Sequence, residues 1–150
     1  MTRVHPYCTL AHILLIENED PHLIEMALAR ASVPQHVTVV RAGLDAITML
    51  DELAASEERI PDLILVGVSG ADSDGFEALA YVKSHPQLRT VPVVALTGSQ
   101  APSVLARAYA LHANCCIHKR NTSEELFVAI DALCRFWLQT ATLPRSLWWS

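Results

Sequence analysis

Three places in this chain hold side chains that could do chemistry together if the fold gathers them. Glu17-Asn18-Glu19-Asp20 offers carboxylates, Thr97 a hydroxyl and Lys119 an ammonium group. Carboxylates suit a hard cation such as Mg2+, while lysine and threonine suit phosphate oxygens, so the set points to phosphoryl chemistry. Other reactive types do not converge. Cys8, Cys115, Cys116 and Cys134 have no Cys-x-x-Cys spacing, and Cys115 and Cys116 fall in what reads as a buried strand. Core thiols are expected there rather than a metal or redox site. His12, His22, His36, His85, His112 and His118 are scattered without ligand spacing, and no metal is expected on their account.

The elements that must position these groups alternate between strand-length apolar runs and longer amphipathic stretches, the pattern of β-α-β units around a parallel sheet. His12 to Ile16 reads as the first strand, and Asp20-Pro21 opens a helix with an apolar stripe through Leu23, Ile24, Ala27, Leu28 and Ala31. Val37 to Val40 is a second strand, followed by a helix from Gly43 to Leu53 with Leu44, Ile47, Leu50 and Leu53 on one face. A third strand, Leu63 to Val66, leads through a polar loop to a helix from Phe76 to His85, which Pro86 ends. Val91 to Leu96 is the fourth strand, and Val104, Leu105, Ala108, Tyr109 and Leu111 mark the fourth helix. Cys115 to Ile117 is the fifth strand. The last helix starts at Thr122, with Glu125 three residues on in a capping-box pattern, and runs to Leu138.

Ligands of an open parallel α/β sheet bind beyond the carboxyl ends of the strands. The residues there are Glu17 and Asn18 after strand one, Gly67 after strand three, Thr97 after strand four and Lys119 after strand five. The chemistry-bearing set is thus expected at one sheet edge.

At this edge the chain resembles the receiver domain of two-component response regulators across residues 11–138. The matching segments are Ile13-Leu14-Leu15-Ile16-Glu17-Asn18, Pro61-Asp62-Leu63-Ile64-Leu65-Val66-Gly67, Val93-Val94-Ala95-Leu96-Thr97 and Ile117-His118-Lys119. The resemblance implies a CheY-like, flavodoxin-like fold: a five-stranded parallel sheet in a (βα)5 sandwich. A narrower likeness lies in His85-Pro86-Gln87-Leu88-Arg89, Ala113-Asn114-Cys115-Cys116-Ile117 and the stretch from Phe136-Trp137 to Leu143-Pro144. These are similar to the small single-domain regulators that serve bacterial and cyanobacterial phytochrome histidine kinases.

The departures from that family's pattern shape the expected mechanism. Gly67 stands where the resemblance puts the phosphoacceptor aspartate, and Asn18 replaces one of the acidic pair. Only Glu17 remains of the three carboxylates, so weak Mg2+ binding at most is expected, and no other cofactor. Cys116 takes the place of the aromatic switch residue, and Arg120 the place where proline often follows the lysine. Thr97 and Lys119 are kept; without an acceptor, Lys119 is free to bond Glu17 or a backbone carbonyl, and Thr97 to end its strand. Asp72 and Asp74 lie in the next loop, where Asp74-Gly75 reads as turn and helix cap more readily than as a substitute acceptor.

The expectation is therefore a pseudo-receiver and not an enzyme, working by contact with a sensor histidine kinase, in particular a bacteriophytochrome, or as a homodimer. The alternative is an active receiver phosphorylated on a non-standard aspartate with Mg2+. A cofactor-binding flavodoxin-like protein is disfavoured, because the acidic Glu17-Asn18-Glu19-Asp20 loop would repel a phosphate. Residues 139–150 form an extension beyond the domain. Its aromatic ends, with Phe136, Trp137, Leu143, Pro144, Trp148 and Trp149, are candidate interface residues, and the resemblance implies dimerisation through the last helix and this extension.

Composition narrows the classes. A net charge of -5 gives no basic face for nucleic acid. The apolar runs, Ile13 to Ile16 and Leu63 to Val68 among them, fall far short of the ~20 residues that cross a bilayer, and no signal-peptide pattern is seen. A cytoplasmic, non-membrane protein is expected.

Overall fold

The computed structural model of the chain describes residues 10–56, 59–70, 74–119 and 122–144. Five strands, β1 (Ala11–Ile16), β2 (Gln35–Val40), β3 (Leu63–Gly67), β4 (Val93–Thr97) and β5 (Cys115–His118), alternate with five helices. The helices are α1 (Pro21–Arg30), α2 (Gly43–Ser56), α3 (Asp74–Ser84), α4 (Pro102–Ala110) and α5 (Ser123–Arg135). The strands form one parallel sheet in the order β2-β1-β3-β4-β5. This is the CheY-like architecture that the sequence predicts.

The central strands show why the predicted runs are continuous rather than alternating in polarity: both faces of the sheet are covered. Leu14, Ile16, Ile64, Val66, Val93 and Ala95 face a core closed by Ala46 and Leu50 of α2, Phe76 and Leu79 of α3 and Ala108 of α4. Ile13, Leu15, Leu63, Leu65, Val94 and Leu96 face a second core, closed by Ile24 and Leu28 of α1 and by Leu126, Ile130 and Leu133 of α5. Each large aliphatic side chain removed from water here contributes about 1.5–3 kcal/mol.

Several predicted details are corrected. Cys115 and Cys116 are only half-buried, because β5 lies at the sheet edge and has a neighbour on one side alone. β4 begins at Val93, since the Val91 amide turns back to Leu88 O (2.9 Å) and Pro92 has no amide for the ladder. Leu44 lies off the buried stripe of α2 and is 63% exposed. Asp20 does precede Pro21, yet its side chain makes no capping hydrogen bond. α5 stops at Arg135, and the predicted continuation through Leu138 is instead a π-helical turn, Phe136–Thr140, closed by the Ala141 amide on Phe136 O (2.8 Å). The start of α5 is as predicted, with Thr122 Oγ1 accepting the Glu125 amide at 3.1 Å.

Candidate functional site

Ladder hydrogen bonds continue one residue past several strands and fix the backbone at the carboxyl edge. The Glu17 amide donates to Val40 O (3.1 Å), Val68 to Leu96 O (2.9 Å) and Lys119 to Thr97 O (2.8 Å). Glu17, Gly67, Thr97 and Lys119 are thereby held side by side on four neighbouring strands.

Glu17 is the centre of this edge. Its side chain is 1% exposed, and Oε2 accepts Lys119 Nζ at 2.8 Å, with Glu19 Oε1 3.6 Å from the same ammonium. The amides of Glu19 and Asp20 also donate to Oε2, at 3.0 and 3.1 Å. The loop after β1 thus wraps its own carboxylate. Oε1 is buried and has no hydrogen-bond partner among the described residues. It lies over Gly67, within collision distance of where a Cβ would stand, with Cδ at 2.9 Å and Oε2 at 3.3 Å from that point.

Little room is left. The cleft lined by Glu17, Asn18, Glu19, Gly67, Val68, Ser69 and Lys119 measures about 10 Å³, space for about one water. Asn18 is at its rim, and its carbonyl accepts Arg41 Nη2 at 3.3 Å. Thr97 is buried, and its hydroxyl serves the turn after β4, accepting the Ser99 amide at 3.0 Å and contacting Ser99 O at 3.3 Å.

Residues 13–131 match the response regulator receiver domain family. The chain belongs to that family. It is 34% identical over 135 residues to the response regulator Rcp1 of Synechocystis sp., an alignment that spans 88% of this chain and 92% of Rcp1. Its fold superposes on the phosphorylated cyanobacterial phytochrome response regulator RcpA with a TM-score of 0.80 at 38% identity, covering 90% of this chain and 99% of that one. The Mn(2+)-bound form of Rcp1 gives 0.77 at 33% identity, over 89% of this chain and 99% of that one.

Receivers imply a divalent cation, and the donors at this edge do not fit one. A hard cation gathers several anionic oxygens. Here a single buried carboxylate is already neutralised by Lys119, Gly67 supplies no side-chain ligand, and no group of three His, Cys, Asp or Glu side chains gathers among the described residues. Asp74 is not poised as a replacement, because Oδ2 accepts the Gly43 amide at 2.7 Å and links the starts of α2 and α3. Asp72 and Arg120 lie outside the described residues. Gly75 is required for close approach: a Cβ there would collide with Gly67 O, so the start of α3 presses on the end of β3.

The candidate interface residues divide. Phe136 is 51% exposed, whereas Trp137 is half-buried against the α1/α5 core and meets Phe136 edge-on at 5.0 Å. Burial raises the pKa of the Cys115 thiol, an effect the Trp137 indole offsets in part. Leu143 and Pro144 fold toward their own domain, lining a small crevice with Ile60, Pro61, Asp62, Thr90, Val91 and Pro92. Trp148 and Trp149 lie outside the described residues.

Sequence reasoning missed a second buried carboxylate. Asp62, at the amino end of β3, is 3% exposed, pairs with Arg59 at 3.1 Å and accepts the His12 amide at 2.8 Å. An acidic residue directly before a run as apolar as Leu63 to Val66 was the available signal. Among the described residues, no helix is long and apolar enough to cross a membrane.

Proposed function

We propose that this receiver is a pseudo-receiver: it signals without being phosphorylated, through protein contact with a sensor histidine kinase of the phytochrome type and through a homodimer. The observation that carries this reading is the Glu17 carboxylate, paired with Lys119 and seated over Gly67 in the space an acceptor side chain would need. An acceptor must expose a carboxylate to the donor phosphorus. Gly67 has none, and Glu17 is buried to 2% of its surface. The kinase assignment draws on the likeness to Rcp1 and to RcpA, a cyanobacterial phytochrome response regulator.

Intact-mass analysis after incubation with Mg2+ and acetyl phosphate tests it. The wild type is expected to gain no phosphoryl group, and a Gly67→Asp, Asn18→Asp variant, in which Glu17 must swing aside, is the positive control. A phosphorylated wild type would favour the alternative of a non-standard aspartate and Mg2+, and mapping would name the residue.

The homodimer draws on an apolar stripe along α5 and the following turn: Val128, 71% exposed, Phe136, 51% exposed, and between them the exposed Ala132. Spacings of four residues place them on one helix face, with Glu124 and Glu125 near one end and Arg135 near the other. An antiparallel pair of such helices would bring unlike charges together. Sedimentation should give a dimer mass that Phe136→Asp together with Val128→Asp converts to monomer; a monomeric wild type at tens of micromolar removes this part of the reading.

A further inference from the structure

Gly67 and Glu17 fit one another in a way that simple loss of an acceptor does not require. No described glycine has a positive φ, so the backbone at 67 accepts any residue, and glycine is there for another reason. The three heavy atoms nearest to a Cβ at this position all belong to the Glu17 carboxylate. The absent side chain is therefore the room through which Glu17 passes.

The geometry points to a built-in strut: Glu17 crosses over Gly67 to reach Lys119, and this internal ion pair, in place of a phosphoryl group, fixes the carboxyl edge of the sheet in one state. β1 and β5 are separated by β3 and β4, so ladder hydrogen bonds couple them only through two intermediaries. Glu17 and Lys119, 102 residues apart in sequence, join them directly. At one end the carboxylate is pinned to the loop opening α1 by the Glu19 and Asp20 amides. At the other, Lys119 closes β5 a few residues before α5 starts at Ser123. α1 and α5 are linked again where Asp131 accepts the amide and hydroxyl of Ser32, at 2.7 and 2.9 Å. The strut thus holds the β5–α5 junction, and with it the helix that bears Val128 and Phe136. This deepens the pseudo-receiver reading, resting on it only in that no phosphoryl group competes for Lys119.

Gly67→Ala tests the strut without restoring any acceptor chemistry. If Gly67 were only a lost acceptor, the added methyl would be neutral or would raise Tm by about 1–4 °C, as glycine-to-alanine changes do at unstrained positions. With the strut, the methyl displaces Glu17 from Lys119. Tm then falls by about 6–20 °C, in line with breaking a buried pair, and amide exchange in β5 and the first turn of α5 accelerates at least tenfold. The decisive arm is the Glu17→Ala background, where Gly67→Ala should no longer lower Tm. Should Gly67→Ala alone fail to fold, recovery of folding in the double variant carries the same conclusion. A Gly67→Ala protein as stable as wild type, or one equally damaged in both backgrounds, overturns the strut. Neither result bears on the acetyl phosphate experiment, so the two readings fail separately.

Discussion

The two ends of the sheet each bury one carboxylate and pair it with one cation, yet the pairs are built for different work. At the carboxyl edge Glu17 meets Lys119 at 2.8 Å, with side chains 1% and 12% exposed, across four strands. At the amino edge Asp62 meets Arg59 at 3.1 Å, three residues away, and the arginine is 36% exposed. The Asp62 carboxylate accepts the His12 amide while the Asp62 amide donates to His12 O at 2.8 Å, so it locks the register of β1 against β3 at its outset. Burial of a carboxylate alone does not mark a functional site, because both qualify. Position does: only the carboxyl edge of an open parallel sheet faces the loops where ligands bind.

The largest effect expected from this comparison is at Lys119. Lys119→Met keeps much of the side-chain volume and strands Glu17 as a buried charge whose Oε1 has no hydrogen-bond partner among the described residues. Removing one member of a buried pair destabilises by about 3–5 kcal/mol. Urea denaturation should show a loss in that range that persists in 1 M salt, because a water-excluded pair is poorly screened. A loss below about 1 kcal/mol would mean that the pair is no stronger than a surface contact, and the two ends of the sheet would then be equivalent.

The sheet and its helices were legible because their signals are local and repeated. The apolar runs of β1, β3 and β4 sit in strands covered on both faces, and the Thr122 cap states its own hydrogen bond in the spacing to Glu125. The edge residues Glu17, Gly67, Thr97 and Lys119 were legible too, since each directly follows or ends a strand. What could not be read was how they engage. That Glu17 bends over Gly67 depends on a contact 50 residues away in sequence, and that Thr97 turns to Ser99 depends on the conformation after β4. The π-helical turn at Phe136–Thr140 shares its residue types with an α-helix, so nothing local in the sequence marks the change, although Trp137 and Leu138 within it pack on the α1/α5 core. Asp62 escaped notice because its partners are a neighbouring arginine and a backbone amide, neither of which leaves a motif.

The smaller effect is at Arg59, and it sharpens the contrast because the same charge is removed from a similar pair. Arg59→Ala leaves Asp62 Oδ2 on the His12 amide, and water can reach the vacated side through a partner that was already 36% exposed. The carboxylate therefore keeps its hydrogen bond and gains solvent in place of the guanidinium. The expected loss is about 0.5–1 kcal/mol, the usual worth of a solvent-screened pair, with part of it owed to the contact of Arg59 Nη2 with Leu10 O at 2.6 Å. In 1 M salt the difference from wild type should shrink, whereas that of Lys119→Met should not. If Arg59→Ala instead matched Lys119→Met in size and in salt resistance, the local pair would be as tightly coupled to the fold as the cross-sheet one. Spanning the sheet would then confer nothing particular on Glu17 and Lys119.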